Sequence, residues 1–385
     1  MNQTEIRWLL SCAALAAGEI LAAWLPSGAE AWPYFALAAA WVALVGYGFA
    51  VRGWRWAFLV LAGITFFYFS TVENERIYRE SPWMRDARRH REETAPFALK
   101  ADLSRRVGIG LEHDRETAVL NRAILLGERD GIPKSTKQTF VESGTIHVFA
   151  ISGLHVMIVA KVLMFFVACL FVPLRLQGAI ALLPVWGYVV LIGSPPSAIR
   201  AALMATICFA APLCWRRPNG VVAWSLAFFV VHIVFPELIA DTGSQLSHVV
   251  MLAIIIAGRI SRGTFFVTFA AWAAGLPIAA MAFGRITPGG LLANLVLIAT
   301  AAYSVVAGAV GALVSYVSVA LAVHLNNLSA LMTDAMVCLS ETVARLPGAN
   351  FEIDPWDPLM CAEWYAALGL FFFLVHHVRA RRNLV

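Results

Sequence analysis

Residues 144–158 read GTIHVFAISGLHVMI, and the reading of this stretch decides the fold. The stretch leaves a charged segment and enters a long apolar run. Yet it carries His147, Ser152, Gly153 and His155 where a lipid-facing helix would carry only hydrocarbon. Polar groups at membrane depth are expensive, so they face a protein interior or a water-filled path. A helix built this way needs other helices to cover it.

The rest of the chain supplies them. Of 385 residues, 60% are hydrophobic and 14% charged, against roughly a quarter charged in soluble domains. Mean hydropathy is +0.73. A membrane β-barrel would show short alternating segments, whereas these apolar runs are long and continuous. The expected fold class is therefore all-α, a polytopic integral membrane helical bundle of about 10–12 spans with broken helices.

Upstream, apolar runs at 7–24, 33–51 and 55–71 form an N-terminal three-span segment, residues 1–72. The stretch 73–143 is the one long polar segment. It carries ENERIYRESPWMRDARRHREE and then a helix-like run, DRETAVLNRAILLGERDGIP. Acids and bases nearly balance there, which reads as a solvated, salt-bridge-laced face outside the bilayer. A basic lip on RDARRHR touching an anionic polymer or lipid headgroups is the second reading.

Downstream, spans are expected near 146–172, 178–193, 197–214, 220–235, 244–258 and 264–283. A long run at 290–323 is expected to make two half-length or tilted helices turning at Gly308 and Gly311. An amphipathic segment follows at 331–346, and a last span at 362–378. Pro173, Pro184, Pro195, Pro196, Pro212 and Pro277 are expected to interrupt the spans. With the amino terminus in the cytoplasm, Arg52, Arg55, Arg175, Arg216, Arg217, Arg259 and Arg262 fall on cytoplasmic turns. The 73–143 stretch then falls outside.

Four polar stretches inside these runs are the candidate sites. In the first, Ser152 and His155 share one helix face. They read as a nucleophile and base needing a third group such as Asp241, as a Ser-Gly packing point with a hydrogen-bonded His155, or as pore lining. In GSPPSAIRAALMA, Ser197 can cap a helix and Arg200 lies just inside it. That arginine is an interfacial anchor, or a fixed guanidinium facing an anion or Asp241. In PELIADTGSQLSHVV, Asp241, Gln245 and His248 recur at spacings of four and three, a polar stripe on one face. In PIAAMAFGRITPGGLLANLV, Asn294 sits one turn into a helix, where an interhelical hydrogen bond is the plainer role.

Several classes are set aside. The six cysteines are scattered, with no CxxC pair, and read as small buried hydrophobes. No spacing demands a metal, and His155, Asp241 and His248 do not form a recognisable ligand set. No GxSxG, HExxH or nucleotide-binding loop is present. No cofactor is expected. A net charge of +5 does not by itself indicate nucleic acid.

The segments LLGERDGI, SGTIHVFAISGLHV, PPSAIRAALMA, PELIADTGSQLS and FGRITPGGLLANL together resemble the ComEC-type competence protein family, over roughly residues 117–375. The resemblance implies a competence-type membrane channel domain at 117–385. It also implies a short external polar segment, 73–116, where longer members carry an OB-fold. No HxHxDH motif of the family's nuclease domain is present, so the chain looks like the membrane core alone.

The function it implies is a non-enzymatic channel that passes single-stranded DNA across the bacterial inner membrane during transformation. Ser152, Gly153, His155, Arg200, Asp241, Gln245 and Asn294 would line the path, with His147 and Arg285 as further phosphate contacts. Implied partners are single-stranded DNA, membrane lipids, a cytoplasmic ATPase, external DNA-receptor or nuclease proteins, and a second copy of the chain. A transporter or flippase for another anionic polymer or lipid-linked substrate is the alternative, and an intramembrane hydrolase the lesser one. The chain departs from the family at Gly243–His248, where members commonly read Gly-Phe-Gln-Leu-Ser-Phe. It departs again at 298–301, where a proline is common.

Overall fold

The computed structural model describes residues 95–149, 153–169, 171–235, 238, 241–261 and 263–382. The three N-terminal spans expected within 1–72, and the segment 73–94, lie outside the described residues. The chain divides into two compact units, 1–94 with 219–245, and 95–218 with 246–385.

The described part of the first unit is α7 (Gly220–Val234) and the opening turn of α8 (Thr242–Ile260). Asn219 caps α7 by accepting from the backbone N–H groups of Val221 and Val222, at 3.0 and 3.3 Å. Asp241 does the same for α8, accepting from Ser244 N–H at 2.7 Å. Both caps satisfy first-turn donors that have no partner within the helix.

The second unit begins with three short helices outside the apolar runs, α1 (Ala95–Val107), α2 (Arg115–Leu126) and α3 (Lys134–Glu142). A 3-10 turn at Ile146–Phe149 leads to α4 (Gly153–Cys169), α5 (Leu174–Leu191) and α6 (Pro196–Ala210). Those three pack together around Val156, Ala160, Val185, Val189, Ala198 and Ala202. Small residues dominate that contact because lipid provides no hydrophobic drive, and close backbone approach supplies the attraction instead. After α8 come α9 (Thr264–Phe283), a two-residue strand β1 (Arg285–Ile286), α10 (Pro288–Val314) and α11 (Val319–Ala344). The short strand β2 (Phe351–Glu352) and α12 (Pro358–Arg382) follow. β1 and β2 pair antiparallel, Arg285 opposite Glu352.

The membrane class is borne out. Among the described residues five helical stretches are long and apolar enough to cross a bilayer, Pro196–Cys214, Thr242–Ile260, Thr264–Phe283, Gly289–Val314 and Pro358–Val375. Shorter apolar helices at His155–Cys169, Leu176–Leu191 and Gly220–His232 accompany them. Phe165, Leu183 and Phe373 are more than half exposed, which suits lipid and not water.

Two expectations are corrected. Residues 290–323 do not form two half-helices. α10 runs unbroken through Gly308 and Gly311, the turn lies at 315–318, and α11 begins at Val319 and not near 331. The glycines serve packing. A Cβ on Gly311 would stand 2.5 Å from Asn326 Oδ1, and one on Gly308 3.2 Å from Ser329 Oγ. Hydroxyls then join the hairpin, with Ser304 Oγ 3.1 Å from both Ser329 Oγ and Thr333 Oγ1. Thr333 in turn donates to Asn121 Oδ1 of α2 at 2.5 Å. This is interhelical hydrogen bonding of the kind that holds helices together in lipid.

The second correction concerns prolines. Pro184 and Pro277 lie inside the continuous helices α5 and α9. Pro277 lacks the N–H that would reach the Ala273 carbonyl one turn back. Trp364 Nε1–H of α12 takes that place, donating to Ala273 O at 2.9 Å. Tyr365 O–H donates to the neighbouring Ala274 O at 2.9 Å.

Two of the family-like segments also meet. Gly144 adopts φ +72°, and a Cβ there would lie 2.5 Å from Thr287 Oγ1 and 3.3 Å from Gly290 Cα. Only glycine meets both demands, the left-handed backbone and the absent side chain. Beside it Thr145 Oγ1 stands 2.6 Å from Ser143 Oγ and 3.0 Å from Ser340 Oγ, all three residues buried.

Candidate functional site

The site is built where α4 meets α6. The chain reaches α6 through Gly193 and Ser194, both at positive φ. Pro195 then precedes the helix in extended geometry, and its carbonyl accepts from Ala198 and Ile199 N–H at 2.9 and 3.0 Å. Proline at the first position suits a helix start, where its missing N–H is not needed. Arg200 follows within the second turn.

Arg200 points into the bundle and is 2% exposed. Its neighbours along the helix, Ala198, Ala201 and Ala202, are fully buried and small. On α4 the facing residue is Gly153. A Cβ there would lie 3.3 Å from Ala201 Cβ, 3.6 Å from Arg200 Nη2 and 3.7 Å from Met251 Cε. Gly153 therefore leaves the space beside the guanidinium open. The Nε and Nη1 atoms of Arg200 are buried and have no hydrogen-bond partner among the described residues. A guanidinium in that state is costly, about 2.5–3.5 kcal/mol at the centre of a membrane helix even on insertion scales. What relieves it is an anion or water that reaches it.

The other predicted residues are distributed more widely. His155, two residues after Gly153, is 2% exposed, as a structural or path-lining role requires. Ser152 lies outside the described residues, so the nucleophile reading is untested. Asn294 sits in the second turn of α10, and its Oδ1 is buried without a partner among the described residues. No described contact joins Asn294 to Arg200. Asp241 and Gln245 belong to the first unit. Asp241 is exposed and occupied as the cap of α8, while His248, two turns on, is buried. Arg285 is ion-paired with Glu352. Among the described residues no cluster of His, Cys, Asp or Glu could hold a metal.

Among the described residues the structure brings together Gly153 and Arg200, which are far apart in the chain. The sequence reading missed Gly144 and Thr287, whose contact fixes how the GTIHVF stretch approaches α10. Their signal was the run of small residues on both sides, SGT and TPGG.

Comparison with known proteins bears on the same segments. The family model described as "Competence protein" matches residues 124–378. The chain belongs to this competence family. The matched range holds every candidate residue named above. A similar curated protein is "ComE operon protein 3" of Bacillus subtilis (strain 168), 30% identical over 139 residues. That alignment covers 36% of this chain and 18% of the relative, so the chain shares well under two thirds of the relative's length. No solved structure matches this chain.

Proposed function

We propose that this chain conducts single-stranded DNA through the bacterial inner membrane as a multi-pass channel of the competence family, without catalysing a reaction. The observation that carries the reading is Arg200, a buried guanidinium with unpartnered Nε and Nη1 in a bundle of small residues. A strand of phosphodiesters needs fixed positive charge along its route, and guanidinium meets phosphate bidentately. Gly153 keeps the opposite wall low, so the phosphate reaches the charge without a side chain between them. His155 and Asn294 supply polar groups that tolerate bases of any sequence. Motive force comes from a partner ATPase, and external receptor or nuclease proteins deliver the strand.

The test is uptake of labelled DNA into the cytoplasm of a strain lacking the gene. Uptake returns with the wild-type chain and fails with Arg200→Glu, while Arg200→Lys restores part of it. If the deletion strain takes up DNA normally, the reading is wrong. The polar path would then serve another anionic polymer or a lipid-linked substrate.

A further inference from the structure

We infer that a recess between α1 and α2 binds one phosphodiester of a nucleic-acid strand before the strand reaches Arg200. The inference rests on the DNA reading above. The recess is a cavity of about 480 Å³ lined by Arg105 of α1, Arg115 and Arg122 of α2, and Glu112 of the turn between them. Arg115, Ala118 and Arg122 are spaced three and four apart, so they share one helix face.

Five acids of this segment, Asp102, Glu112, Asp114, Glu116 and Glu128, are already occupied, which leaves Arg115 and Arg122 over. Asp102 accepts from Arg106 at 2.6 Å and from Tyr316 O–H at 2.6 Å, and Arg105 reaches it at 3.2 Å. Asp114 caps α2 through Thr117 N–H at 3.0 Å. Glu116 accepts from Thr136 at 2.8 Å, Glu128 from Ser104 at 2.7 Å, and Glu112 from Gly110 N–H at 3.0 Å. Neither Arg115 nor Arg122 has an ion pair or hydrogen bond among the described residues. The Nε of Arg122 is buried and unpartnered. Gly108 lets the arginine lie flat, since a Cβ there would stand 3.2 Å from its Nη2. Arg115 opens α2, where the helix dipole disfavours a cation. An incoming anion relieves both faults.

Two features favour a strand over a bilayer surface. Glu112, which lines the recess, and Asp114 and Glu116, on either side of Arg115 in the chain, are exposed, so a flat anionic surface is repelled where a single phosphate entering the recess is not. Between residues 98 and 145 Leu99 is the one exposed large hydrophobic side chain, at 50%, so the segment lacks the broad apolar face that interfacial helices insert.

The experiment uses the full chain, purified in detergent, and a fluorescein-labelled oligothymidylate followed by anisotropy across a salt series. The Arg115→Gln/Arg122→Gln pair is expected to weaken binding roughly tenfold and to lower the salt slope by about 0.7 for each phosphate no longer neutralised. Arg115→Lys/Arg122→Lys is expected to keep the slope, which separates a missing charge from a damaged fold. Equal affinity and slope in the wild type and the glutamine pair overturn the recess alone. No oligonucleotide binding by the wild type overturns the recess and the DNA reading together. Native mass spectrometry covers the lipid source. If the glutamine pair loses a bound phosphatidylglycerol while oligonucleotide binding is unchanged, the recess is a headgroup site and the inference fails.

Discussion

A methyl group on Gly153 would press on Ala201 Cβ and reach the Arg200 guanidinium, at 3.3 and 3.6 Å. Gly144 is harsher, with φ +72° and a Cβ 2.5 Å from Thr287 Oγ1. The two glycines are therefore expected to fail differently. Gly144→Ala should destabilise the fold by about 1–3 kcal/mol, from steric and backbone strain, seen as a lower thermal midpoint in detergent. Gly153→Ala should leave the midpoint within about 1 kcal/mol of wild type yet reduce DNA uptake, because the added methyl occupies the open space beside the guanidinium. A large midpoint loss in Gly153→Ala would make that glycine a packing residue only. At this scale the sequence was half legible. Ser-Gly and PPSAIR each stood out as polar breaks in apolar runs, but nothing in one dimension brings Gly153 to Arg200. Arg115 and Arg122 stayed hidden for another reason. Balanced composition suggested salt bridges, and only the structure shows that they stop at Asp102 while hydroxyl and backbone donors take Glu112, Asp114, Glu116 and Glu128.

Among the elements, α9 and α12 are coupled through Pro277. Trp364→Phe removes the donor to Ala273 O and should cost about 1–2 kcal/mol, the penalty of a buried carbonyl left bare. Pro277→Ala restores the helix's own N–H to that carbonyl, so the tryptophan change should cost less in its presence. A double-mutant cycle in detergent melts measures the difference, and additive effects would refute the coupling. A second tie links α1 to the turn between α10 and α11. Arg106 lies 3.4 Å over the Tyr316 ring and donates to Ser315 Oγ at 2.9 Å. Hydrogen bonds from Arg106 and then Tyr316 hold the Asp102 carboxyl below its ordinary range. The folded protein therefore binds that proton less readily than the unfolded chain. The stabilisation is fully present above the ordinary carboxylate range and is lost as pH falls through the lowered value. Asp102→Asn should flatten that acid limb of the melting profile, and an unchanged limb would count against the tie. Helix existence was legible here, because long apolar runs leave little else. Helix continuity was not. Glycine and proline mark turns and packing contacts alike, and only the neighbour, α11 for Gly311 or α12 for Pro277, decides which.

For the whole molecule the open quantity is orientation. The arginine bias predicts that Cys214, exposed beside Arg216 and Arg217, faces the cytoplasm. A variant retaining Cys214 alone should react with a membrane-impermeant maleimide only after the inner membrane is opened. Labelling in intact spheroplasts would invert that orientation. The helix repair at Pro277 also has a consequence in time. Ribosomes deliver α9 to the bilayer long before α12, so the Ala273 carbonyl waits without its donor while some eighty residues are still being made, at about 5–20 residues per second. A nascent chain arrested before Pro358 should be a target for membrane proteases, and Pro277→Ala should prolong its life.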